Sequence, residues 1–125
     1  MNEPQMKDRT KKFALRILKM ADALPTSRSG NAIANQIVRS STSVAANYGA
    51  LCRSKSRADF ISKTSIVEEE ADESSFWLEL IVDAELMTPA RVKPLLQEAS
   101  EITAMTVASI NKSRSSISKP KRPLP

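Results

Sequence analysis

Residues 36–80 read QIVRSSTSVAANYGALCRSKSRADFISKTSIVEEEADESSFWLEL, and the periodicity of this stretch decides the fold. Ile37, Val38, Val44, Ala45, Tyr48 and Cys52 recur at helical spacing, as do Phe60, Val67, Ala71, Leu78 and Ile81 further on. Between them lies Arg53-Ser-Lys-Ser-Arg57, polar and without apolar period, with Ser56 placed to cap the helix that follows. The stretch is therefore two long helices joined at a short hinge. The first has a second line, Gln36, Ser40, Ser43 and Asn47, on one flank of its apolar stripe. Small polar residues so aligned make either a seam of interhelical hydrogen bonds or a hydrogen-bonding surface for a partner. Gly49 costs roughly 1 kcal/mol relative to alanine inside a helix, which points to close packing there.

Working outward, Met6, Phe13, Ile17, Met20, Ala21 and Leu24 form the stripe of an earlier helix, expected from about Lys7 until Pro25 stops it. After a turn at residues 26–30 the second helix runs to about Arg53. The third, starting after Ser56, is expected to reach about Met87, with Thr64 and Ser74 in its core line. Thr88 followed by Pro89 opens a fourth, whose stripe is Val92, Leu95, Leu96, Ala99, Ile102, Thr103, Thr106 and Ile110. Strand-type alternation is nowhere sustained. Four amphipathic helices with short connections predict an all-α protein, an antiparallel up-and-down four-helix bundle over residues 1–112. Residues 113–125 then read as a basic, proline-rich flexible tail.

Two sets of apolar residues exceed what one four-helix core can cover. Leu15 and Leu18 point away from the first stripe, and Ile66, Trp77, Leu80 and Ala84 form a second line on the third helix. A helix that is apolar on more than one face is usually buried on more than one. These six are the candidate contacts between protomers of a homo-oligomer, although single exposed leucines are also common.

Net charge is +5, but its distribution is more telling than its size. Residues 111–125 carry Lys112, Arg114, Lys119, Lys121 and Arg122 and no acid. Residues 7–63 hold twelve Lys/Arg against three acids, and residues 68–101 hold ten acids against Arg91 and Lys93. Such a dipole fits two solvated faces that pair within one bundle. It also fits surfaces that steer protomer onto protomer, or the basic half onto a polyanion. For the last case the candidate phosphate contacts are Lys12, Arg16, Lys19, Arg39, Arg53, Lys55, Arg57, Lys119, Lys121 and Arg122. Few aromatics are available for base stacking, so binding of RNA or DNA is expected to be weakly sequence-specific.

Enzymatic readings find little support. The chain has no histidine, which removes a Ser-His triad and the Glu-x-x-His motif of carboxylate-bridged di-metal bundles. Glu68, Glu69, Glu70, Asp72 and Glu73 offer oxygen ligands but spread around a single helix. No glycine-rich phosphate loop is present, and neither a cofactor nor a metal is expected. Cys52 reads as a small buried hydrophobe; Arg53 beside it would otherwise lower its pKa. A single cysteine, no signal-peptide core and no long apolar run predict a soluble cytoplasmic protein with no membrane partner.

The combination of Gln36, Arg39, Ser40, Ser43 and Asn47 with RSKSRADFISK and EEADESSFWLEL closely resembles the bacterial four-helix-bundle proteins related to the 23S rRNA intervening-sequence (S23) proteins. The resemblance spans roughly residues 10–112. One departure is visible: Ala50 and Leu51 stand where much of that family has Glu-Gly. The resemblance implies a non-enzymatic bundle that assembles as a homo-oligomer, often a pentameric ring. Related accessory proteins of diversity-generating retroelements share that fold and bind nucleic acid through basic surfaces. The family name itself records where such genes lie, and is not evidence of RNA binding. Two functions follow as expectations: an oligomeric nucleic-acid-associated protein, or a protein-protein interaction scaffold.

Overall fold

The computed structural model describes residues 2–118, with side chains through residue 115. Four helices follow one another: α1 (Glu3–Asp22), α2 (Arg28–Leu51), α3 (Arg57–Asp83) and α4 (Pro89–Ser118). Each packs on its neighbour in sequence, and α1 also meets α4, which closes an antiparallel up-and-down bundle. Helices α1 and α3 share no contact and so lie across the diagonal, as do α2 and α4. Phe13, Ile17, Ile37, Val44, Val67, Leu78, Ile81, Val92 and Ile102 form the centre of the core and are fully or almost fully buried.

The helix ends follow local chemistry, and three of them correct the sequence reading. α1 starts four residues before Lys7 because Asn2 and Gln5 form a reciprocal capping box: the Asn2 side chain accepts from Gln5 N–H and the Gln5 side chain from Asn2 N–H. Ser27 caps α2 and Ser56 caps α3, each accepting from the backbone N–H three residues on. α3 ends at Asp83, short of the expected Met87. Leu86 N–H donates to Ile81 O and Glu85 N–H to Val82 O, with Glu85 in the left-handed region at φ 58°. That is a Schellman ending built without glycine. Its signal was absent from the sequence because glutamate is an unusual residue for the position.

α4 continues to Ser118, six residues beyond the boundary drawn at Lys112, so the start of the expected tail is helical. Lys112, Arg114 and four serines are compatible with helix once Ile110 has anchored the last buried turn. The remainder of the tail, residues 119–125, lies outside the described residues.

Close packing falls at Gly30 rather than at Gly49. A Cβ at Gly30 would stand 2.0 Å from the Pro25 carbonyl oxygen, whereas one at Gly49 would meet nothing within 4 Å. The polar seam is interhelical at its centre: the buried hydroxyls of Ser40 and Ser74 share a 2.9 Å hydrogen bond between α2 and α3. Elsewhere it is satisfied within α2, where Asn47 Nδ2 donates to Ser43 O and Oγ. Among the described residues no buried side-chain nitrogen or oxygen lacks a partner. Nor is any helix among them long and apolar enough to cross a membrane.

Candidate nucleic-acid interface

An up-and-down bundle brings the α2–α3 hinge, the start of α1 and the end of α4 to one end. Contacts at that end bear this out: Glu3 and Met6 of α1, Leu51 and Cys52 of α2, Phe60 of α3 and Met105, Thr106, Ala108 and Ser109 of α4 line a shared cavity there. Arg53, Lys55 and Arg57 sit on this hinge and are exposed. Lys7 and Lys11 join them from α1, and Lys112 from α4. Acids at this end are fewer. Asp59 accepts from the Lys55 backbone N–H and from the Lys63 ammonium, which together hold its carboxyl below the usual range. Lys119, Lys121 and Arg122 belong to the segment that follows α4 and lie outside the described residues.

The other predicted phosphate contacts are distributed differently. Lys12, Arg16 and Lys19 share the outer face of α1, where Lys12 already pairs with Asp8 at 2.8 Å. Arg39 is engaged by α3: Nη1 lies 3.0 Å from Glu70, and Nη2 forms an ion pair with Glu73. The same Glu73 carboxylate accepts from Trp77 Nε1 at 3.0 Å, and Gln36 accepts from Arg39 Nε. Arg39 is thus the centre of an α2–α3 clasp whose charge is matched within the chain. Sequence alone marks the arginine but not its two acids, which lie more than thirty positions away and become neighbours only through helix pairing.

A second charge-matched pair escaped the sequence reading altogether. Arg9 donates Nε to Glu98 Oε2 at 2.7 Å and Nη2 to Glu98 Oε1 at 2.6 Å, with Glu101 Oε1 at 3.3 Å. It joins α1 to α4. The Arg9 guanidinium holds the Glu98 carboxyl below the ordinary range, and the pair in turn raises Arg9.

The predicted oligomer residues also divide. Leu15, Leu18 and Ile66 are exposed, Leu15 by 55%. Trp77 and Leu80 are half-buried against the core, and Ala84 is the exposed C-cap of α3. Phe76, which no stripe singled out, is 52% exposed and meets the edge of Trp77 at a ring separation of 4.9 Å. Since α1 and α3 are diagonal, the basic leucine face of α1 and the acidic aromatic face of α3 point away from each other.

The cavity at the hinge end holds about 580 Å³. Cys52 lines it, half-buried, and burial together with the neighbouring Glu3 carboxylate pushes its thiol up to about 11, despite Arg53. The activating effect of that arginine is overridden. Burial pushes Tyr48 up to about 12.

Comparison with known proteins places this geometry. The family model for the 23S rRNA-intervening sequence protein matches residues 2–108, from the α1 cap through two thirds of α4. The chain belongs to that family. A similar solved structure is a protein of unknown function from the S23 ribosomal protein family of Bacteroides thetaiotaomicron. It is 34% identical with a TM-score of 0.78, over 83% of this chain and 96% of that one. Among curated proteins, no sequence matches. This intervening-sequence family member therefore has its fold and kinship established, while its task must be argued from its surfaces. Among the described residues no group of three or more ligating side chains gathers as a metal site would require.

Proposed function

We propose that this protein is a non-enzymatic, self-associating helical bundle that grips nucleic-acid phosphates through the hinge end. The observation that carries the reading is topological. Folding gathers Lys7, Lys11, Arg53, Lys55, Arg57 and Lys112 at one end, and in the sequence Lys119, Lys121 and Arg122 follow α4. Lys12, Arg16 and Lys19 extend the positive surface along α1. Arg39 takes no part, because Glu70 and Glu73 already neutralise it. Phosphate contacts of this type release counterions, so affinity falls with salt in proportion to the number of contacts.

Self-association is supported by the two outer faces. A basic face with Leu15 and Leu18 and an acidic face with Ile66 and Phe76 are complementary in charge and both carry exposed apolar area. Because they are different surfaces, face-to-face contact is heterologous, and it generates a ring where the rotation between neighbours closes, with a pentamer as the expected size. A ring repeats the cationic end several times and multiplies weak contacts.

Fluorescence anisotropy with labelled RNA and DNA across a salt series tests the nucleic-acid part. Full-length protein is expected to bind at low salt, and deletion of residues 112–125 to weaken binding and flatten the slope by about one unit per lost phosphate contact. Absence of binding to any RNA or DNA at low salt overturns it. The charge-complementary faces then favour the scaffold reading instead. Light scattering tests assembly, and a monomer at tens of micromolar (about the range of weak interfaces) refutes it.

A further inference from the structure

We propose that the cavity at the hinge end receives one unpaired nucleobase of a single-stranded nucleic acid, with the adjoining phosphates on its cationic rim. The inference rests on the phosphate-binding reading above and adds a ligand class and a site to it. At about 580 Å³ the cavity lies within the roughly 300–1,000 Å³ of small-molecule sites, enough for a base and its sugar. Tyr48 and Phe60 line it, two of only five aromatic side chains in the chain. The scarcity of aromatics argued against base stacking when they were counted along the sequence. Folding concentrates two of them in one cavity, and at the basic end.

The polar chemistry inside also selects. Tyr48 and Cys52 stay protonated at neutral pH; the Cys52 thiol donates to Glu3, whose carboxylate keeps further acceptor capacity, and Tyr48 supplies a neutral hydroxyl. An anion is unwelcome inside, beside Glu3, whereas an uncharged ring with amino and carbonyl groups finds both kinds of partner. The rim is cationic. Lys7 and Arg53 lie close enough to act electrostatically on Cys52, and Lys55 and Arg57 flank the lining residues Ser54 and Ser56. A flat neutral hydrogen-bonding group joined to phosphate is what this charge pattern complements. A purely aliphatic amphiphile leaves the interior polar groups unmatched.

The test compares a short labelled oligoadenylate with a blunt-ended RNA duplex of equal phosphate number, using full-length protein at matched salt. The oligoadenylate should bind at least about fivefold more tightly, the lower limit of one stacked base. Ala108→Phe, at an exposed position on the cavity wall, should remove that advantage and leave duplex binding unchanged. Iodoacetamide labelling of Cys52, run at about pH 9 where more of the reactive thiolate forms, gives a readout independent of that variant: oligoadenylate should slow it and duplex should not. Equal binding of both probes, with no protection of Cys52, overturns the base pocket while the phosphate reading stands. Failure of both probes to bind overturns both. Protection of Cys52 by decanoate but not by oligoadenylate also overturns the proposal and assigns the cavity to an aliphatic ligand.

Discussion

Replacing Arg9 by alanine removes a fork-to-fork contact that ties the first helix to the last. Two charge-assisted hydrogen bonds of 2.7 and 2.6 Å are lost to Glu98, each of a kind that contributes about 1.5–3 kcal/mol when shielded. Shielding is incomplete, since the side chains of Arg9 and Glu98 remain 21% and 16% exposed. Fully exposed pairs contribute about 0.2–1 kcal/mol, and breaking fully buried ones costs about 3–5 kcal/mol. An intermediate cost of about 2 kcal/mol is expected for Arg9→Ala, lowering Tm by about 10 °C in a domain of this size. Glu101 meets the same guanidinium at 3.3 Å and is 52% exposed, so Glu101→Ala should cost under about 0.5 kcal/mol. A double-mutant cycle of Arg9→Ala and Glu98→Ala, by urea denaturation at fixed protein concentration, should give a coupling of about 1–2 kcal/mol. The pH dependence has a definite sign. Arg9 depresses the Glu98 carboxyl in the folded state, so its contribution is fully present above the unfolded value of about 4.3 and is lost as pH falls through the lower folded value. Wild type and Arg9→Ala should therefore differ by a constant amount between about pH 6 and 8 and converge in acid. A coupling below about 0.3 kcal/mol, within the additivity expected of independent sites, refutes the reasoning.

Four further outcomes are expected. Gly30→Ala should destabilise the bundle by about 2 kcal/mol, as overpacking against fixed backbone does. Gly49→Ala should stabilise it by up to about 1 kcal/mol, and paired thermal melts distinguish the two signs. Glu85→Gly should raise stability by about 0.5–1 kcal/mol by relieving the left-handed strain of the α3 ending; an unchanged melt would argue that the glutamate side chain offsets it. Replacing Leu15 and Phe76 together by serine should leave helical circular dichroism intact but shift light scattering towards monomer, since both are exposed in the single bundle.

Local signals determined a large part of this protein. The 3.6-residue recurrence of Phe13, Ile17, Ile37, Val44, Val67, Leu78 and Ile102 marked the buried stripes, because a helix must turn one face to its neighbours. Ser56, Pro25 and Thr88-Pro89 marked ends, because capping and proline act on adjacent residues. The exposure of Leu15, Leu18 and Ile66 was legible for the same reason. Where a boundary went astray, the deciding feature was a reciprocal capping box, as at Asn2 and Gln5, an unusual residue in a special conformation, as at Glu85, or a favourable helix continued past its last anchor, as after Ile110. Tertiary structure alone decided which charges are spent and which remain. Arg39 looks as available as Arg53 in the sequence, but pairing of α2 with α3 places it against Glu70 and Glu73. Arg9 and Glu98 are 89 positions apart and meet because the last helix closes on the first. Tyr48 and Phe60 come to line one cavity for a like reason. Periodicity records which face of a helix is buried, but the register and rotation of one helix against another arise from packing the whole core. Those two quantities set every distance between side chains on different helices, and with them the surface a partner would meet.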